Sequence, residues 1–226
     1  MTTDTAATAG VRLERAAAAA ARRPRDPGLT GVRVVVIGDG LVAGAGDPRA
    51  MGWVGRVSAR TSREQGPVTL FPLGVPGEST ADLLTRWREE TTRRFGPQAN
   101  SSRLVLGLGW EDLRQQITLA RSRLNLANVI DEAASGNLPV FVVGPPPSLG
   151  EEFNARLREL SVAYADVCER RGVPYVDTFT PLETHEDWLT DLAAGDGMHP
   201  SQAGYGLMAW LVLHGGWHPW LGLQAA

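Results

Sequence analysis

The sequence has little of three features that would place a protein in a special class. Cys168 is its one cysteine, so the chain can form neither an intrachain disulfide nor a cluster of thiolate metal ligands. Basic residues are not in excess, since the formal net charge is −3 and the pI is about 5.8. No segment reaches the roughly 18 consecutive apolar residues that a membrane span needs. We therefore expect neither nucleic acid nor a membrane as a partner.

The composition is that of a folded domain preceded by a different kind of segment. Hydrophobic residues make up 43% of the 226 residues, which is enough for a sizeable core. Residues 1–30 are rich in Ala, Thr and Arg, and charged residues directly precede their run of alanines at 16–21. That pattern lacks the apolar core of a signal peptide. We predict a flexible tail over residues 1–30, a single domain over 31–226, and a cytoplasmic location.

Short apolar runs alternate with longer helical segments along the domain. The first run, VRVVVI over residues 32–37, is almost continuously β-branched, as in a strand covered on both faces. Similar runs occur at 68–71, 104–106, 139–143 and 174–176. Helices are predicted over 53–64, 80–94, 118–134, 151–171 and 201–213, with Ser79 and Ser201 as N-caps. This alternation predicts a three-layer α/β/α sandwich around a mostly parallel five-stranded sheet.

In such folds, ligands bind at the carboxyl ends of the strands. The loops at that edge are 38–41, 74–79, 107–112 and the loop with Asp196 and His199. A carboxylate three residues before a histidine can hold one imidazole nitrogen and direct the other into a site as a general base. A surface turn with an incidental histidine is the alternative interpretation of that spacing.

Taken together, these loops resemble the SGNH/GDSL hydrolase family over about residues 32–220. The family's Gly-Asp-Ser-Leu block corresponds here to GDGL, with Asp39 and Gly40 at its second and third positions. The second block resembles GVPGEST over 74–80, and it places the family's oxyanion glycine at Gly77. The third block, Gly-x-Asn-Asp, corresponds to GWED with Glu111 and Asp112. The last block, Asp-x-x-His-Pro, is complete in DGMHP over 196–200.

The resemblance implies ester hydrolysis on a flavodoxin-like architecture, but two of its chemical positions differ. Gly40 stands at the nucleophilic serine and cannot form an acyl-enzyme. Glu111 stands at the asparagine whose amide donates to the oxyanion, and an ionised carboxylate there would repel that oxyanion. Ser79 and Thr80 lie where the family begins a helix, so neither is expected to replace the missing hydroxyl.

Three hypotheses follow for the function. His199, oriented by Asp196, could activate a water together with Glu111 for direct attack on an acyl ester-type small molecule. Alternatively, the site binds such a ligand without turnover, with backbone N–H groups of Gly40 and Gly77 as contacts. In the third hypothesis the remaining motif residues, including the supporting Asp39 and Asp112, are only structural. We expect no metal, since an isolated Asp-x-x-His lacks further ligands, and no other cofactor.

A dinucleotide-binding site is a rival from another class. The stretch GDGLVA over residues 38–43 fits the G-x-G-x-x-A fingerprint after a strand. The fingerprint also requires an acidic residue at the end of the second strand, to bind the ribose hydroxyl. That strand ends in LFPLG over residues 70–74 and carries no carboxylate. The rival would also leave Asp196 and His199 without a role.

Overall fold

The computed structural model describes residues 31–61, 64, 66–95 and 101–223. Its sheet has five parallel strands in the order β2-β1-β3-β4-β5. The strands are β1 (Val32–Gly38), β2 (Val68–Gly74), β3 (Ser101–Gly107), β4 (Val140–Val143) and β5 (Tyr175–Val176). The predicted α/β/α class is confirmed. The predicted tail over residues 1–30 lies outside the described residues.

The position of each strand in the sheet agrees with its sequence, since the most apolar strand lies inside the sheet and a strand with proline lies at its edge. Val34 to Ile37 of β1 are completely buried, and β1 lies between β2 and β3. β2 lies at an edge, where a proline is tolerated because one side of the strand forms no ladder, and it contains Pro72. The order 2-1-3-4-5 is the flavodoxin-like one and not the 3-2-1-4-5-6 order of dinucleotide-binding domains. The dinucleotide hypothesis therefore loses its topological support.

Ten α-helices lie within the described residues. They are α1 (Gly40–Ala43), α2 (Gly52–Arg60), α3 (Thr80–Phe95), α4 (Glu111–Arg114), α5 (Leu119–Ser135), α6 (Glu151–Glu169), α7 (Phe179–Leu182), α8 (Glu186–Ala193), α9 (Gln202–Val212) and α10 (His218–Leu221). α2 packs on α9, whereas α3, α5 and α6 pack on one another in succession. Cys168 of α6 is fully buried, and burial raises the pKa of its thiol to about 12, so it is part of the core.

Some predicted boundaries differ from the structure for local reasons. α9 stops at Val212 and passes into a π-helical turn (Leu213–Trp217), because Gly215 and Gly216 leave the helical conformation. Ser79 caps α3 as predicted, with its Oγ accepting from the N–H of Asp82 at 3.4 Å. Ser201 precedes α9, but its side chain does not cap the helix. Asp191 of α8 accepts instead from the N–H groups of Ser201 and Gly204, at 2.7 and 2.9 Å.

No helix of the described residues combines the length and apolarity needed to cross a bilayer.

Candidate active site

The loops singled out in the sequence meet at one edge of the sheet. Gly38, the last residue of β1, is in register with Gly74 of β2 and Gly107 of β3. Three loops therefore leave the sheet side by side, and they carry Gly40, Gly77 and Glu111. The edge is the carboxyl one, where open parallel sheets bind their ligands.

His199 and Asp196 form the hydrogen-bonded pair that their spacing predicts. Nδ1 of His199 lies 2.7 Å from Oδ2 of Asp196, and Oδ1 of Asp196 accepts from the N–H groups of Met198 and His199. Partial burial raises the pKa of Asp196, but these hydrogen bonds outweigh it and lower the pKa to about 2. Asp196 is therefore ionised at neutral pH. It holds the proton of His199 on Nδ1, which leaves Nε2 as a hydrogen-bond acceptor.

Gly40 lies directly opposite that free nitrogen. It begins α1, which is capped by Asp39 through the N–H of Leu41 at 2.9 Å. A Cβ built on Gly40 would lie 3.5 Å from Nε2 of His199, 3.5 Å from Cβ of Ala45 and 3.7 Å from Cα of Pro76. All three are ordinary van der Waals distances. The side-chain position of Gly40 therefore faces Nε2 of His199, although the residue itself has no side chain.

Gly77 sits at the tip of the loop after β2. The N–H of Glu78 donates to the carbonyl O of Val75 at 3.0 Å, which closes a turn with Pro76 and Gly77 in its centre. Gly77 has φ of +84°, as the third position of a type II turn requires, and glycine adopts this conformation without strain. The N–H of Gln115's side chain holds the turn through the carbonyl O of Gly77 at 2.8 Å.

Glu111 is buried, with 8% of its surface exposed, and pairs with Arg114 at 3.6 Å. Within the described residues it makes no hydrogen bond or ion pair with His199. Its charge acts instead on Asp39, whose pKa is raised to about 7 by burial and by the charges of Glu111 and Glu78. A cavity of about 10 Å³, which we call the carboxyl pocket, has four acidic residues in its lining: Asp39, Glu78, Glu111 and Asp112.

Asp112 has a structural part in this arrangement. Its carboxylate accepts from the N–H and the Oγ1 of Thr80, both at 2.7 Å, and from the hydroxyl of Tyr164 at 3.1 Å. Asn125 extends the network by donating to Oγ1 of Thr80 at 3.0 Å. Asp112 thus connects α4 to α3, α5 and α6, and it fixes the position of its neighbour Glu111.

Several residues of the site are not apparent from the sequence. Trp110 is fully buried and packs edge-on against His199, with the ring centroids 5.5 Å apart. Arg86 of α3 forms a bidentate ion pair with Glu78 and donates to the carbonyl O of Leu73 at 2.8 Å, so it ties the loop after β2 to α3. No local spacing links these partners, so only the position of Trp110 beside Glu111 could have drawn attention to it.

Three cavities lined by described residues have the volume of a small-molecule site, and one of them, of about 500 Å³, lies at the beginning of β4 beside Trp220. A second one, also of about 500 Å³, adjoins the pair on the side of Asp196. Its lining includes Pro48, Gly195 and His199 but not Gly40, Gly77 or Glu111. A larger one, of about 820 Å³, lies at the opposite edge of the sheet, at the beginning of β3. No histidine lines this cavity or the one beside Trp220, whereas the hydrogen-bonded pair of His199 and Asp196 lies at the carboxyl edge. We therefore place the candidate site at His199, where the cavity has the size of a small-molecule site. Among the described residues, no group of three or more His, Cys, Asp or Glu could hold a metal ion.

The fold and the site define a class of protein. A parallel sheet in the order 2-1-3-4-5, with a His–Asp pair at its carboxyl edge facing the first strand's loop, is the arrangement of SGNH hydrolases. The sequence model described as GDSL-like Lipase/Acylhydrolase family matches residues 36–207. The chain belongs to this family.

Solved structures agree with that assignment. The lipase/acylhydrolase from Enterococcus faecalis is 26% identical and superposes with a TM-score of 0.64, over 80% of this chain and 92% of that one. The acetylxylan esterase from Geobacillus stearothermophilus is 17% identical with a TM-score of 0.69, over 88% and 99% of the two chains. A lipolytic G-D-S-L family member from Veillonella parvula is 20% identical with a TM-score of 0.68, over 81% and 97%. The latter two similarities establish the fold alone. No curated protein sequence matches this chain.

Proposed function

We propose that this chain hydrolyses an acyl ester-type small molecule by direct attack of water, with His199 as the general base. The observation that carries the proposal is the position of Nε2, which faces the side-chain position of Gly40 and is free to accept a proton. A water beside Gly40 can give its proton to Nε2 while its oxygen attacks the carbonyl carbon. The ionised Asp196 stabilises the imidazolium that forms.

The remaining site residues have supporting roles in this proposal. Backbone N–H groups of Gly40 and Gly77 are the donors for the oxyanion, as the family resemblance implies. Glu111 helps to orient the water. It occupies the position of the family's amide donor, so that donor is missing here. One lost oxyanion donor costs on the order of 10²- to 10³-fold in kcat. We therefore propose a slow hydrolase rather than an efficient one.

Ligand binding without turnover is the second candidate. The observation that favours it is the carboxylate of Glu111, 8% exposed and beside the buried Asp39, at the position where the family provides an amide. Negative charge at that point opposes the build-up of charge on a carbonyl oxygen. A protein with this arrangement could keep the pocket and lose the reaction.

A comparison of four proteins on short p-nitrophenyl esters separates the two candidates. The natural chain, His199→Ala, Gly40→Ser and the double variant Gly40→Ser/Glu111→Asn are assayed under the same conditions. For water attack, we expect slow release by the natural chain, lost in His199→Ala, and release about 10³-fold faster in the double variant.

A natural chain without activity beside an active double variant would instead support the binding function. Inactivity of both would contradict an ester-type ligand. A fluorophosphonate probe supplies the control for the nucleophile, since it should label Gly40→Ser and leave the natural chain unlabelled. Labelling of the natural chain at a residue bonded to His199 would contradict the mechanism.

A further inference from the structure

The turn that carries Gly77 is held at both ends, but its tip is not held by packing. The N–H of Val75 donates to the carbonyl O of Gly38 at 2.8 Å, and Glu78 is paired with Arg86. A Cβ built on Gly77 would meet no atom within 4 Å. Packing therefore does not hold the tip on that side, and its position depends on hydrogen bonds.

One side chain from another element reaches this tip. Nε2 of Gln115 donates to the carbonyl O of Gly77 at 2.8 Å. Among the hydrogen bonds within the described ranges, this is the one that joins Pro76 or Gly77 to a residue outside the loop after β2. The pKa of Asp82 on α3 is lowered by hydrogen bonds from Ser79 and, to a smaller extent, by one from Gln115. The side chain of Gln115 therefore bonds both to the tip of the turn and to α3.

The backbone of Gln115 belongs to a part of the chain that is fixed to the core. Gln115 directly follows α4, and its N–H donates to the carbonyl O of Glu111 at 2.9 Å. α4 is itself held by the buried carboxylate of Asp112, which accepts from Thr80 and Tyr164. The tip of the turn is therefore connected to the core through one exposed side chain.

The N–H of Gly77 is available to a ligand, because no described residue accepts from it. The preceding residue, Pro76, lies close to position 40, since its Cα would be 3.7 Å from a Cβ on Gly40. The nitrogen of Gly77 is two bonds away from that Cα. A donor that stabilises developing charge has to be held within about 0.5 Å of its productive position. The hydrogen bond of Gln115 to the carbonyl of the same glycine provides such support.

We infer that Gln115 is a positioning residue, which holds the turn so that the N–H of Gly77 can donate to the oxyanion. This inference rests on the proposed function, in which that N–H is one of the oxyanion donors. Gln115 acts through Gly77 and does not touch the substrate. A loose turn would still allow the ligand to bind, but it would stabilise the oxyanion less.

The kinetic test uses the full-length Gly40→Ser/Glu111→Asn protein, in which a nucleophile and an amide donor are restored. Gln115→Met removes the hydrogen-bond donor from this protein with little change in side-chain length. We expect it to lower kcat and kcat/KM for p-nitrophenyl acetate equally, because the lost alignment affects the transition state alone. The expected factor is about tenfold, less than the loss of a whole oxyanion donor. Gln115→Arg provides other N–H donors and should retain most of the activity.

Gln116→Met is the matched control. Gln116 is the neighbouring exposed glutamine, and its side chain makes no hydrogen bond with the described residues. Its replacement should leave kcat unchanged. Gln115 is exposed as well, so all three variants should keep the melting temperature of their parent. A loss of kcat at an unchanged melting temperature distinguishes positioning from a general loss of structure.

Labelling by a fluorophosphonate probe is a second measurement, and it does not require turnover. The phosphoryl oxygen of the probe takes the place of the oxyanion when the probe reacts with Gly40→Ser. Adding Gln115→Met to Gly40→Ser should therefore slow the labelling by about tenfold, whereas adding Gln116→Met should not change it.

The outcomes separate this inference from the proposed hydrolysis. An unchanged kcat in Gln115→Met, or a raised KM at unchanged kcat, overturns the positioning role and leaves hydrolysis in place. Inactivity of the natural chain contradicts the hydrolysis alone, because the effect of Gln115 is measured in the variants. A double variant without activity, together with a Gly40→Ser protein that is not labelled, overturns both.

Discussion

Asp196 shows how much of the site's chemistry depends on single hydrogen bonds. Its carboxylate receives two backbone N–H groups and the imidazole Nδ1, and these bonds hold its pKa at about 2 in spite of partial burial. The negative charge of the Asp196 carboxylate determines that Nδ1 of His199, and not Nε2, carries the proton. The proposed hydrolysis depends on this choice, because only an unprotonated Nε2 can accept a proton from a water beside Gly40.

Replacement of Asp196 should therefore remove catalysis while leaving the fold intact. In the Gly40→Ser/Glu111→Asn background, we expect Asp196→Asn to lower kcat/KM by about 10³- to 10⁴-fold, because the amide can stabilise the wrong tautomer and cannot stabilise the imidazolium. Esterase kinetics with a short p-nitrophenyl ester measure the effect. Adding His199→Ala to Asp196→Asn should cost little more, since the two residues act as a unit. Additive losses would contradict the pairing.

The elements that carry the site are held by contacts that cross the fold. Asp191 at the end of α8 caps α9, and α9 begins three residues after His199. Asp112 connects α4 to three longer helices. The loop that carries His199 therefore lies between the anchored helix α9 on one side and Trp110, just before α4, on the other.

Loss of the α9 cap should loosen the His199 loop. We expect Asp191→Ala to destabilise the protein by about 1–2 kcal/mol, because two backbone N–H groups at the start of the helix lose their acceptor. Asp191→Asn keeps one acceptor oxygen and should lose less. Urea unfolding followed by Trp fluorescence provides both values. Equal stability of Asp191→Ala and the natural chain would show that Asp191 is not the cap.

The order of the longer strands and helices could be predicted from the sequence, because buried strands and helix faces require regular spacings of apolar residues. The β-branched run of β1 and the periodic face of α6 each carry that pattern in local sequence. α1, α4, α7 and α10 have four residues each, too few for a periodicity to show. The π-helical turn arises from two adjacent glycines, which by themselves predict only a break.

Some contacts of the site join residues close in sequence and could be predicted, whereas others join residues far apart in sequence and could not. Asp196 and His199 are three residues apart, so their hydrogen bond could be predicted from spacing. The contact of Trp110 with His199 and the cap from Asp191 join residues that are close only after folding, and no local pattern specifies them. Glu111 could be identified through the family resemblance, but its proximity to Asp39 could not.

For the whole molecule, the carboxyl pocket makes stability depend on pH. Asp39 has a pKa of about 7 in the folded chain, against an ordinary value of 3.8. The folded state thus holds a proton that the unfolded state releases, so this group's contribution to stability is complete below about pH 4 and declines until about pH 7. The pKa of Glu78 is also raised, by burial, and adds to the same trend.

Stability should consequently fall between about pH 4 and pH 7, by about 3 kcal/mol from Asp39 alone. Asp39→Asn keeps an oxygen for the N–H of Leu41 and has no proton to lose, so its stability should change less over this range. Urea unfolding of both proteins at several pH values gives the difference. Parallel curves for the two proteins would show that Asp39 is ionised in the folded state.

The contacts around Gly40 bear on how such a protein can change over generations. A Cβ at position 40 would lie at ordinary van der Waals distances from its neighbours. Replacing glycine with serine or alanine should therefore leave the backbone unchanged. The requirement to fold therefore does not discriminate among these three residues at position 40, whereas a reaction that needs a hydroxyl group does. A hydroxyl at this position is thus one codon change away and needs no rearrangement of the backbone.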